Sequence, residues 1–337
     1  DPMEKLLGFF IAVVILTFYI GIVNLILMFL SFALLQGNVA AYVLSFVGVI
    51  PVLFYAQYRA RRYILSRTRW RGVRFGVDAA AWGYVWRAIG HSLLTFISLG
   101  LLLPRQTFWL EKYKFDRTWY GTAQFSQNGR WQQLYPAMKH FFIAVGLMAV
   151  PGALAVMTEQ PIFAVLIIVG AVWFYYGIAY YAVESFRILG NEKLLGDKVG
   201  FVTSPRASKV FWTYILGGLL ASTCAGLVFS AFFIIASNLL GTTDFLNIAE
   251  AFDVDTIMSP GPVQIMGLLM ILIGYLAMIL SYGIFGMIFV SQPVLEHYVE
   301  ETRILNAPAL EEIEQRSRDE MVEAEGFAEA LDVGAAI

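Results

Sequence analysis

Seven arginines lie within nineteen residues, in the stretch YRARRYILSRTRWRGVRFG from Tyr58 to Gly76, which holds no acidic residue. They are Arg59, Arg61, Arg62, Arg67, Arg69, Arg71 and Arg74, interleaved with Tyr58, Tyr63, Trp70 and Phe75. Guanidinium groups grip phosphate and carboxylate through two parallel hydrogen bonds. At the inner surface of a membrane each basic residue attracts anionic headgroups by about 1 kcal/mol. Two functions therefore fit. One is a topology signal, anchored at the interface by Tyr and Trp. The other is a binding site for an anionic group, with Arg59, Arg61, Arg62, Tyr63, Arg69, Trp70, Arg71 and Arg74 as its ligands. Nucleic acid is not the expected partner, because the stretch is short and follows directly on an apolar run.

A second set of the same kind follows at 111–125: Lys112, Tyr113, Lys114 and Arg117, with Glu111 and Asp116 among them. Its acids are placed to pair with the Arg-rich stretch. The two sets would then form a charge-paired collar, or close around one anionic group.

Other chemistry is sparse. The histidines His91, His140 and His297 stand far apart and the single cysteine, Cys224, lies in an apolar run. No metal site and no cofactor is expected. Asp253 and Asp255 resemble part of a calcium loop but lack its glycine and terminal glutamate. No nucleophile–base motif, phosphate loop or dinucleotide fingerprint occurs, so catalysis is not expected. Ionisable or amide groups within apolar runs are functional candidates by default, and here they are Asn24, His91, Glu184 and Asn238. The two asparagines equally suit interhelical hydrogen bonds. Glu184 suits a pair with Arg187. Trp173, Tyr176 and Tyr180 share one helix face, as a cavity lining or as packing.

What positions these groups follows from composition. The chain is 59% hydrophobic and 14% charged, against about 25% charged in soluble domains. Six apolar runs, at 6–35, 39–58, 139–157, 161–183, 210–240 and 263–291, are long enough to cross a bilayer. The first is too long for a signal-peptide core and reads as an uncleaved first crossing. The short links QGN and TEQP make the first two pairs helical hairpins. The tips lack Lys and Arg and the 241–262 loop is acidic, whereas the segments 59–87, 105–139 and 187–209 are basic. The rule that cationic loops stay inside then places both termini in the cytoplasm. The run 88–104 is barely long enough to span, broken by Gly100 and closed by Pro104. It reads as a re-entrant segment, the alternative being a seventh crossing. The expected fold is all-α: one transmembrane domain over 1–305, with hairpins 6–58, 139–183 and 210–291, and an acidic cytoplasmic tail over 306–337 that either docks on the basic segments or is solvated.

An internal repeat is legible as well. RRYILSRTRWRGVRF and EKYKFDRTWYGTAQF share Tyr, Arg-Thr and Phe at matched places, with weaker echoes at 184–201 and 295–305. These blocks, with AWGYVWRAIG and LLTFISLGLLLP between them, resemble the YjgN family of bacterial inner-membrane proteins, a domain of unknown function. The resemblance implies a polytopic inner-membrane protein and no catalytic residues. It also implies a membrane metallopeptidase as a partner. The chain departs from the family pattern in having Arg105, not tryptophan, directly after Pro104. The functional expectation is binding or transport of an anionic or amphiphilic molecule, a lipid or envelope precursor. The alternative is a non-transporting scaffold or regulator of a membrane partner.

Overall fold

The computed structural model describes residues 21–22, 25–26, 29–30, 49–158, 160, 162–240 and 261–316. The runs 6–35 and 39–48, the loop 241–260, Asn24 and the tail beyond 316 otherwise lie outside the described residues. The chain divides into two compact units: 1–136 with 188–201 and 304–337, and 137–187 with 202–303.

In the first unit, helix α1 (Val49–Arg67) runs without a break from the apolar segment into the Arg-rich stretch. It leads into strands β1 (Arg69–Trp70) and β2 (Val73–Val77). Helices α2 (Ala81–Ile97) and α3 (Leu103–Phe115) follow, and α3 leads into β3 (Thr118–Tyr120) and β4 (Ala123–Gln127). The 88–104 run is thus two helices and a reversal. Leu99 and Gly100 take positive φ, 50° and 87°, and the Gly100 amide donates to the Thr95 carbonyl at 2.8 Å, a Gly-terminated helix end. Pro104 sits in the first turn of α3, where its missing N–H costs nothing. Gln106 Nε2 donates to Ser92 Oγ at 2.9 Å, clasping the two helices.

The expectation of an all-α fold is corrected here. Seven short strands form one antiparallel meander in the order β1 to β7, with β5 at Lys193–Leu195, β6 at Val199–Thr203 and β7 at Thr302–Leu305. The physical reason is in the residues read as a basic–aromatic collar. Val73, Phe75 and Val77 alternate with Arg74 and Gly76 at the strand period of two. Arg71 and Gly72 between β1 and β2 both have positive φ, 49° and 83°, the geometry of a tight two-residue hairpin turn. Strands of two to five residues are simply too brief to register against long apolar helices.

The sheet carries its own cover. Ala309 and Leu310, in a short 3₁₀ turn, are buried against Tyr120, Leu195 and Val199. Thr122 N–H donates to the Glu314 carbonyl and Arg74 N–H to Gln315 Oε1, both at 2.9 Å. Residues 307–316 are therefore a strap on the sheet. A Cβ on Gly121 would lie 2.2 Å from the Glu314 carbonyl oxygen, so only glycine admits the strap there.

The second unit holds α4 (Lys139–Thr158), most of α5 (Ile162–Asn191), α6 (Ala207–Leu240), α7 (Pro262–Gly286) and α8 (Gln292–Glu300). A π turn at Met287–Ser291 joins α7 to α8. Among the described residues four helical stretches are long and apolar enough to cross a membrane: 131–158, 162–191, 207–240 and 262–300. Small residues let α6 and α7 approach closely: Ala221, Ala225 and Ala236 are buried. Gly217 meets the π turn, where an added Cβ would stand 2.3 Å from the Phe289 carbonyl oxygen. Pro293, four residues on, has no N–H to give that carbonyl. Gly217→Ala should therefore destabilise the chain by about 1–3 kcal/mol through overpacking, whereas Gly218→Ala, which meets nothing within 4 Å, should not. The thermal unfolding midpoints of the two detergent-solubilised variants check this, and equal midpoints would refute the contact.

Candidate functional site

The described part of the first unit is built around three tyrosines, one each from α1, α2 and α3. Tyr58, Tyr84 and Tyr113 are buried, with ring centroids 5.4–6.1 Å apart. A buried hydroxyl needs a partner, and each has one. Tyr58 donates to the Asp78 carbonyl (2.9 Å), Tyr84 to Gln57 Oε1 (3.0 Å) and Tyr113 to the Ala80 carbonyl (3.0 Å).

Beside this core lies a charge cluster. Glu111 on α3 pairs with Lys114 at 2.8 Å and with Lys193 on β5 at 3.2 Å. Arg61 on α1 lies within electrostatic range of Glu111. The Phe115 ring takes the Lys193 ammonium at 3.5 Å and the Arg61 guanidinium at 5.1 Å. Burial pushes the Glu111 carboxyl up, but Lys114, Lys193 and Arg61 outweigh burial and hold it down at about 2. Burial lowers Lys193, against the pull of Glu111. It lowers Arg61 likewise, and the Arg61 Nε is buried with no hydrogen-bond partner.

A cavity of about 280 Å³ opens among α1, α2 and α3. Glu111 and Lys114 line one part of it, Gln57, Gln106 and Thr107 another, and Phe54 and Leu103 a third.

The predicted ligands separate into four groups. Arg61 and Lys114 join the cluster. Arg62 is 7% exposed and belongs to the interior. Lys112, Tyr113 and Arg117 do structural work. Lys112 Nζ donates to the Gln127 carbonyl at 2.7 Å and pairs with Asp116 at 2.9 Å. The Tyr113 ring takes the Arg87 and Arg117 guanidiniums, at 4.7 and 3.7 Å. Tyr63, Arg69, Trp70 and Arg71 remain on the surface, Arg74 is half-buried, and Arg59 sits partly buried on α1. Arg67 stacks on Tyr63 (3.7 Å) and Arg71 on Trp70 (4.9 Å). Of the two acids expected to pair with the Arg-rich stretch, Glu111 makes its ion pairs with Lys114 and Lys193 and only feels the charge of Arg61, and Asp116 pairs with Lys112 and accepts from the Gln127 N–H of β4 at 2.8 Å.

The polar candidates within the apolar helices do not converge. Glu184 pairs with Arg187. Asn238 donates to the Ile234 carbonyl of its own turn at 2.7 Å and is exposed. His91 lies within electrostatic range of Arg87 and Arg105. The Trp173–Tyr176–Tyr180 face is filled by the His140 ring, with centroids 5.7, 4.9 and 4.3 Å away, so it packs rather than lines a cavity. Among the described residues no group of three or more His, Cys, Asp or Glu could hold a metal ion. Sequence reasoning missed Gln57, Gln106 and Lys193. Lys193 did carry a signal, a lone cation opening a short strand whose alternate residues face inward.

These features define a helical membrane protein with a strand platform and a partly buried ionic cluster. The chain belongs to the DUF898 family of bacterial proteins of unknown function, which it matches over residues 1–330. No curated protein and no solved structure matches it.

Because Glu111 ionises more readily folded than unfolded, its stabilisation is present above the usual carboxylate value of 4.5 and is lost as pH falls towards about 2. Glu111→Gln should cost about 3 kcal/mol at neutral pH, as expected for breaking a buried pair, and should flatten the loss of stability below pH 4.5. Unfolding midpoints across that acid range for both proteins measure it, and parallel curves would refute the assignment.

Proposed function

We propose that this chain is a bacterial inner-membrane protein whose cytoplasmic face binds an anionic or amphiphilic small molecule of the lipid or envelope-precursor class, without catalytic chemistry of its own. The observation that carries this reading is the β1–β2 hairpin. Arg69 and Arg74 are direct cross-strand partners, and Arg71 at the turn holds a left-handed φ of 49°. Like charges placed opposite one another are destabilising by up to about 1 kcal/mol, and a left-handed non-glycine residue adds about 1–2 kcal/mol. Local rules are broken in this way chiefly where function repays it. An anionic headgroup between the two arginines would turn their repulsion into attraction.

The topology assigned to the chain agrees with such a role. Six crossings in three hairpins put the tips outside and the basic segments inside. The α2–α3 hairpin supports a re-entrant dip into the inner leaflet. Its tip presents Phe96, Ile97, Leu99 and Leu101 to the surroundings, Leu99 being 94% exposed, and α2 is about 25 Å long, short of a full span. A helix followed by strands occurs at 49–77, 103–127, 162–203 and 292–305, which supports reading the chain as a duplicated unit. The exposed arginines would gather anionic lipid, and the helices would give an apolar molecule its depth.

The test is the lipid that remains on the purified full-length chain. Anionic lipid should be enriched over the bulk membrane, and the triple variant Arg69→Gln, Arg71→Gln, Arg74→Gln should lose the enrichment while keeping its unfolding midpoint. Arg61 and Arg62 are unsuited to this test, because both are tied into the interior. An unenriched wild type that instead loses a co-purifying membrane protein in the variant would overturn this reading in favour of a scaffold.

A further inference from the structure

The cavity among α1, α2 and α3 is graded along its length. On α1 it is lined by Phe54 and then Gln57; Arg61 follows one turn on, at the same helical spacing. On α3 it is lined by Leu103, then Gln106 and Thr107, then Leu110, and last Glu111 and Lys114. Both helices therefore pass from an apolar residue to an amide in the same sequence direction, the charged end of the lining comes from α3 alone, and both helices lead into neighbouring hairpins, since β2 pairs with β3. From Leu103 to Lys114 the climb is about 16 Å at 1.5 Å per residue.

The charge at the polar end is unbalanced. Glu111 faces three cations, Lys114, Lys193 and Arg61. Lys193, its side chain 9% exposed, and Arg61 lie on the far partners of the carboxylate and are not among the residues lining the cavity. Lys114 does line it. Glu111 and its three cations together carry a net positive charge, and Lys114 is the one of the cations that lines the cavity. An anion there would meet the Lys114 ammonium, 22% exposed and held beside Glu111, together with amide N–H donors, and hydrogen bonds to a charged group are the stronger ones.

We propose that this slot binds one phosphate-bearing amphiphile, its phosphate on Lys114, its polar linkage on Gln57 and Gln106, and its first apolar carbons against Phe54 and Leu103. The inference rests on the proposed binding of an anionic amphiphile and narrows it to one site of unit stoichiometry, distinct from lipid gathered at the exposed arginines.

The experiment is native mass spectrometry of the delipidated full chain in detergent, titrated with dioctanoyl-phosphatidylglycerol, with inorganic phosphate and with dioctanoylglycerol. The expected result is a single phosphatidylglycerol adduct that neither of the other two displaces. Lys114→Gln should weaken it about tenfold or more, the worth of a hydrogen bond to a charge. Gln106→Glu, which sets a second carboxylate in the slot without touching the ion cluster, should weaken it comparably. Both variants are compared at matched unfolding midpoints, and Gln106→Glu alone decides the matter if Lys114→Gln fails to fold. Displacement by inorganic phosphate would overturn the amphiphile and leave a free-phosphate site. An adduct that survives both slot variants, but is lost when Arg69, Arg71 and Arg74 are replaced by Gln, would overturn the slot and spare the broader reading. No adduct in any protein would overturn both.

Discussion

A carboxylate taken out of water must be matched at once by cations, and in this chain the match comes from places far apart in sequence. Glu111 is met by Lys114 one turn away, by Lys193 eighty-two residues later and by Arg61 fifty residues earlier. Breaking a buried ion pair costs about 3–5 kcal/mol, a large part of the net stability of a domain. The cluster therefore acts as a check on assembly. α1, α3 and the start of β5 must all arrive before Glu111 can be buried, and the order of the strands in the sheet is the arrangement that brings them there.

The sheet solves a second problem. α1 and α3 each end with cations in the last turn, Arg67 in one and Lys112 and Lys114 in the other, and with their last carbonyls to accommodate. Turning directly into a two-stranded hairpin pairs the next backbone groups at once. Yet a lone hairpin is marginal in water. Pairing β2 with β3 and β4 with β5 joins the hairpins, and the strap at 307–316 covers the apolar face that Tyr120, Leu195 and Val199 would otherwise show to solvent. Aromatic contacts continue across the strands, from Phe75 to Phe125 at 6.3 Å and from Phe125 to Phe201 at 6.2 Å.

The membrane character was plain in the sequence, because long apolar runs have no other use on this scale. The break at Leu99–Gly100 was plain too, since a glycine and a following proline leave a helix little choice. The strands were legible in principle: Val73, Phe75 and Val77 alternate, and Arg-Gly and Tyr-Gly-Thr sit where turns belong. Their period is masked by seven arginines, which give the stretch the composition of a basic loop. Which arginines would be buried was not legible. Arg61 and Arg62 are neighbours of Arg59 in every local respect, and only the long-range meeting with α3 and β5 decides their fate. The same holds for Gln57 and Gln106, two amides on separate helices whose approach depends on a hairpin reversal and a sheet register.

The ion cluster and the proposed slot place opposed demands on Lys114. It neutralises Glu111, and it is the cation that faces the cavity. The second and third cations resolve the conflict. If an anionic group draws Lys114 towards the cavity, Glu111 keeps Lys193 at 3.2 Å and the nearby charge of Arg61, so no bare carboxylate is left in the interior. With a single cation the same movement would cost several kcal/mol, and the slot could bind an anion only by unfolding its own support. The excess of positive charge around Glu111 would thus allow a stable core and the proposed anion site to share one lysine.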